Sequence, residues 1–187
     1  MEYGISSYSY LFHPIEKNNK LLIYHQGHGG DFILGKKTIS YFTDKGYTVI
    51  AFSMPLYGSN NSTVLEIENY GVIKFDSHDK LRFLDAEDFS AMKFFFHPIM
   101  VSLNYVEQNY NFETFDMVGL SGGAWTITLY SAMDERISKI FPVGGPLPHY
   151  ITQNEPDSHW HYETNNLSLY QIANYLDIFI MSSYGEN

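Results

Sequence analysis

Residues Phe115-Asp116-Met117-Val118 run into Gly119-Leu120-Ser121-Gly122-Gly123 and then directly into Ala124-Trp125-Thr126-Ile127. A strand-like apolar stretch, broken by Gly-x-Ser-x-Gly and followed at once by a helix-like one, commits the chain to a strand, a sharp turn and a helix within about a dozen residues. Such a turn lifts a serine hydroxyl clear of the backbone, which a nucleophilic serine requires. Gly119 and Gly123 leave room for strand and helix to approach each other. Gly122 presents its N–H to an oxyanion at the helix N-terminus. The competing reading is a glycine-rich βα turn in another kind of α/β protein.

The rest of the chain follows the grammar of a parallel sheet. Gly4–Phe12 alternates like an outer strand. Lys20-Leu21-Leu22-Ile23-Tyr24 is a short apolar run suited to burial on both faces, and it ends in the glycine-rich loop His25-Gln26-Gly27-His28-Gly29-Gly30-Asp31. A helix is expected from Phe32 to Lys45, stopped by Gly46, and a strand over Tyr47–Phe52. Residues 53–84 form a long excursion with room for a small hairpin. From Asp88, the apolar positions Phe89, Met92, Phe96, Ile99, Leu103 and Val106 recur at helical spacing, with a kink or split expected at Pro98. Further strands are expected over Ile137–Val143 and, from its unbroken apolar run, over Leu176–Met181. Residues 144–175, rich in proline, tyrosine and tryptophan, read as a lid-like insertion or an aromatic-anchored surface loop.

With the turn at Ser121 and the His-Gln-Gly-His-Gly-Gly loop both in place, the sequence resembles the α/β-hydrolase family, and its esterase-like members in particular. The resemblance implies a single α/β domain over 1–187: a mostly parallel sheet with helices on both faces, lacking the last strand and helix. It implies Ser121 as the nucleophile, and backbone oxyanion donors at Gly122 and His28, with Gly29 the alternative to His28. The family's acid and histidine follow the nucleophile in the order Ser, Asp or Glu, His. Glu186 stands at about the right place for the acid. The histidines after Ser121 are His149, His159 and His161, all before the last expected strand and so out of order. The triad histidine is therefore expected beyond residue 187.

A metal-binding reading competes at His25 and His28, three residues apart with Asp31 nearby, but the surrounding glycines suit a backbone role. His78, beside Asp79, and His159 and His161, flanking Trp160, read as solvated loop histidines. No metal and no cofactor is expected. The chain has no cysteine, which rules out disulfides and thiolate metal sites. Its net charge of −10 disfavours nucleic acid and anionic membrane surfaces as partners. The N-terminus lacks the pattern of a signal peptide, so a cytoplasmic location is the default expectation. The expected function is hydrolysis of a small-molecule carboxylic ester through an acyl-enzyme at Ser121. The alternative is a non-catalytic α/β-hydrolase-like binding protein or an inactive truncated fragment.

Overall fold

The computed structural model describes residues 2–60, 62–145, 162–164 and 166–183. A five-stranded sheet is built from β1 (Ser9–Phe12), β2 (Lys20–His25), β3 (Thr48–Phe52), β6 (Thr114–Leu120) and β7 (Ile137–Val143), in the order β1-β3-β2-β6-β7. Only β1 runs antiparallel to its neighbour; β3, β2, β6 and β7 pair in parallel. β3 is buried along its whole length and β2 from Leu21 onward, as central strands of a parallel sheet must be.

Alternation along these strands feeds two cores. Leu21, Ile23, Ile50, Phe52 and Met117 face Ile99, Leu103 and Val106 of α2 (Lys93–Asn109) and Ile127 and Tyr130 of α3 (Gly122–Ser131). Leu22, Tyr24, Val49, Ala51 and Val118 point the other way, onto Ile39 of α1 (Lys36–Asp44) and Phe32. Helices thus cover both faces of the sheet, as expected. The excursion after β3 does contain a hairpin, β4 (Thr63–Ile67) with β5 (Gly71–Phe75), whose Phe75 helps to close a third core around Trp125, Phe94 and Phe95.

Local capping moves several boundaries. The helix expected from Phe32 begins as a 3₁₀ turn, Phe32–Gly35, because the Asp31 side chain accepts the Ile33 N–H at 3.0 Å, and α1 follows it. α2 starts at Lys93 rather than Asp88, since Ala86 and Phe89 close a tight turn and Asp85 accepts the Ala91 N–H at 2.8 Å. It continues through Pro98 as one helix.

The expected last strand is a correction. Leu176–Met181 lies inside a helix, α5 (Tyr175–Ser183), which packs beside α3 and follows the short α4 (Leu167–Ile172). A continuous apolar run fits a buried strand or a helix equally well until its ends are examined. Here Asn174 Oδ1 accepts the N–H groups of Leu176 and Asp177 at 2.9 and 3.1 Å, an N-cap that starts a helix. The outer strand on that side of the described sheet is therefore β7.

Candidate active site

β2 and β6 are adjacent and in register, with His25 opposite Gly119, so the chain leaves both strands at the same carboxyl edge. The His25–Asp31 loop and the turn at Ser121 are consequently neighbours. Glycine makes this contact possible: a Cβ on Gly27 would lie 2.4 Å from the Leu120 carbonyl oxygen and 2.9 Å from Ser121 Cβ. On the helix side, a Cβ on Gly119 would meet the Gly123 carbonyl oxygen at 2.4 Å, and one on Gly123 would meet the His25 carbonyl oxygen at 2.2 Å. Ser121, Gly122 and the His28 loop are thus brought together.

Ser121 itself has φ 53° and ψ −119°, a conformation that an L-residue adopts only at a cost and that the surrounding structure must enforce. Its N–H donates to the Val143 carbonyl at 2.8 Å and its carbonyl accepts from Ala124 and Trp125, so both backbone groups are fixed. The residue is exposed, and its side chain makes no capping hydrogen bond to α3. Gly122 opens that helix, where the first N–H groups have no helical carbonyl to bind.

The side chain of His28 points into an arrangement that its sequence neighbourhood does not reveal. Its ring sits against Gly122, and its Nε2 lies 2.6 Å from Glu163 Oε1 and 3.2 Å from His78 Nδ1. His78 Nδ1 is 3.1 Å from Glu163 Oε2, and His78 Nε2 donates to the Pro55 carbonyl at 2.8 Å. Burial alone would raise the Glu163 carboxyl, but hydrogen bonds and charge from the two imidazoles bring it down to about 2. The Tyr57 ring meets both imidazoles edge-on, and Phe95 backs His78. His78, expected to be solvated, is in fact buried.

The competing metal set dissolves. His25 is buried, with its Nδ1–H donated to the Gln26 carbonyl at 2.9 Å and its ring stacked on Phe52; burial pushes its imidazole down to about 4. Asp31 is spent on the 3₁₀ cap and on the Ser59 hydroxyl. His28 alone of those three joins the cluster with His78 and Glu163. Glu186, His149, His159 and His161 lie outside the described residues, as does most of the 144–175 insertion. Of that insertion, Tyr162 is anchored by its hydroxyl on Asp85 at 2.7 Å, which places Glu163 beside His28. Asp85 and Tyr162 stand 77 residues apart, with no recognisable spacing in the sequence to pair them.

No family model matches the sequence, and no curated protein matches it. Solved structures do match the fold. A probable hydrolytic enzyme from Pseudomonas aeruginosa PAO1 aligns with 97% of this chain and 55% of its own, at 15% identity and a TM-score of 0.58. The esterase Pf2001 from Pyrococcus furiosus aligns with 76% of this chain and 48% of its own, at 13% identity and a TM-score of 0.54. Est1E from Butyrivibrio proteoclasticus, solved with ferulic acid, aligns with 82% and 55%, at 20% identity and a TM-score of 0.53. The chain has an α/β-hydrolase-like fold and spans about half the length of these neighbours. Among the described residues, no helix is long and apolar enough to cross a membrane.

Proposed function

We propose that this chain carries the nucleophile and oxyanion hole of a serine hydrolase acting on small-molecule carboxylic esters. The observation that carries this reading is the strained turn at Ser121, φ 53°, pressed against Gly27 of the neighbouring loop. Strain of that kind has to be maintained by the fold and gathers where a side chain must be presented. In the proposed reaction, Ser121 Oγ attacks the ester carbonyl carbon and loses its proton to a base. The tetrahedral oxyanion is held by the N–H groups of Gly122 and His28. Collapse expels the alcohol, and water then attacks the acyl-serine to release the acid. Glu186, read as the acid because it follows an expected strand that is α5 instead, takes no assigned part in this reaction, and no cofactor is needed.

The name of one structural neighbour, the esterase Pf2001, supports the substrate class. Fluorophosphonate labelling and p-nitrophenyl acetate turnover, each with a Ser121→Ala control, test the assignment. Labelling confined to Ser121 is the expected result. Labelling that survives in Ser121→Ala rules out this serine as the nucleophile. The base sets the rate: loss of a triad histidine costs on the order of 10⁶ in turnover.

A further inference from the structure

The His28, His78 and Glu163 side chains come from three separate segments: the loop after β2, the 3₁₀ turn His78–Leu84 and the segment Tyr162–Thr164. Their ligand-capable atoms all lie within 4.8 Å of one another. The side chains of His78 and Glu163 are wholly buried, and that of His28 is 19% exposed, so the cluster sits just beneath the surface beside Ser121.

Hydrogen-bond chemistry limits what can lie between these atoms. A carbonyl oxygen only accepts, so His78 Nε2, 2.8 Å from the Pro55 carbonyl, carries a proton. In the neutral ring, Nδ1 is then a lone pair facing a carboxylate oxygen at 3.1 Å. Two electron-rich atoms buried face to face require a positive centre, which can be a proton or a metal ion.

Three features suit a metal. An imidazole whose other nitrogen donates to a backbone carbonyl is oriented as metal-binding histidines are. A tetrahedral ion with bonds of about 2.0–2.1 Å holds its ligand atoms about 3.3 Å apart. The 3.2 Å between His28 Nε2 and His78 Nδ1, and the 3.1 Å between His78 Nδ1 and Glu163 Oε2, already approach that value. His28 Nε2 lies 2.6 Å from the other carboxylate oxygen, Glu163 Oε1, so the carboxylate offers one oxygen to each imidazole. Finally, Tyr57 and Phe95 supply an apolar wall around the two imidazoles.

We propose that His28 Nε2, His78 Nδ1 and the Glu163 carboxylate bind one divalent ion of the zinc class at the lip of the Ser121 turn. Two imidazoles and one carboxylate favour such a borderline ion over calcium or magnesium, which prefer all-oxygen sites. Three protein ligands leave a fourth position for water or a substrate oxygen. Because the His28 ring rests on Gly122, the ion would also tie the loop after β2 to the first turn of α3.

The site does not depend on Ser121 being a nucleophile, and its test is read without activity. The 187-residue chain, stripped with a chelator, is titrated with Co²⁺ at neutral pH while its visible spectrum is recorded. One ion per chain with tetrahedral d–d bands, displaced by Zn²⁺, is expected. Ser121→Ala and His13→Ala, the latter at an exposed histidine remote from the cluster, should bind as the wild type does. Glu163→Gln, close to isosteric and so the variant least disturbing to the fold, should weaken binding by at least about 100-fold, and His78→Ala likewise. Absence of a one-to-one tetrahedral complex in the wild type would overturn the proposal and leave the cluster bridged by a proton. Equal binding by folded Glu163→Gln would overturn it as well.

Discussion

A Cβ built on Gly122 comes 2.3 Å from Cε1 and 2.4 Å from Nδ1 of His28, so the imidazole fills the space that a side chain at position 122 would need. Gly122→Ala must displace a ring that is held on its far side by Glu163 at 2.6 Å. The expected cost is about 1–3 kcal/mol of stability, from overpacking. Fluorophosphonate labelling of Ser121 should also fall by at least roughly tenfold, since the oxyanion donors lose their alignment. Thermal denaturation and labelling rates check the two halves separately.

Ser121 holds a φ that glycine adopts freely and alanine does not. Ser121→Gly and Ser121→Ala should abolish labelling equally. Relief of strain should nevertheless leave the glycine variant more stable than the alanine variant by about 1 kcal/mol, after allowing for the greater chain entropy of glycine. Urea unfolding of the two variants provides the comparison, and equal midpoints would show that the turn stores no strain.

The imidazole of His25 is neutral in the folded protein down to about pH 4, whereas in the unfolded chain it takes up a proton near its ordinary value of 6.5. Between those limits the unfolded state binds the extra proton. Its contribution is therefore fully present above about pH 6.5 and is lost as the pH falls toward 4, amounting to roughly 3 kcal/mol over that interval. Stability against urea, measured from pH 7.5 to pH 4, should fall less steeply for His25→Phe, which preserves the stacking on Phe52.

Asn174 caps α5 through two N–H groups, so Asn174→Ala should cost about 1 kcal/mol. Asn174→Asp, which keeps an acceptor oxygen, should be close to neutral. Chemical denaturation distinguishes the two.

The sheet was legible because its strands are short apolar runs ended by glycine or proline, and the Ser121 turn because its glycines lie at fixed offsets. The middle of α5 hides its helix: apart from Asp177, Leu176–Met181 is apolar and fits a strand equally well, and the signal is the Asn174 cap just before its start. The candidate site was half legible for a different reason. Gly27, His28, Ser121 and Gly122 come from two loops whose meeting follows from strand pairing. His78 stands 50 residues from His28 and Glu163 stands 135, and no periodicity links them. His78 looked like any polar residue in an excursion, and only burial by Tyr57 and Phe95 distinguishes it.

That separation of 135 residues also bears on the order in which the molecule is assembled. The five described strands of the main sheet have left the ribosome once Val143 has, and local pairing can proceed from there. Glu163 emerges twenty residues later and reaches His28 only by closing the longest loop in the cluster, a late event where chain entropy governs the sequence of contacts. The nascent protein thus holds the five described strands and the Ser121 turn before the carboxylate arrives. The histidine loop beside Ser121 gains its tether to Glu163 only after those strands can pair.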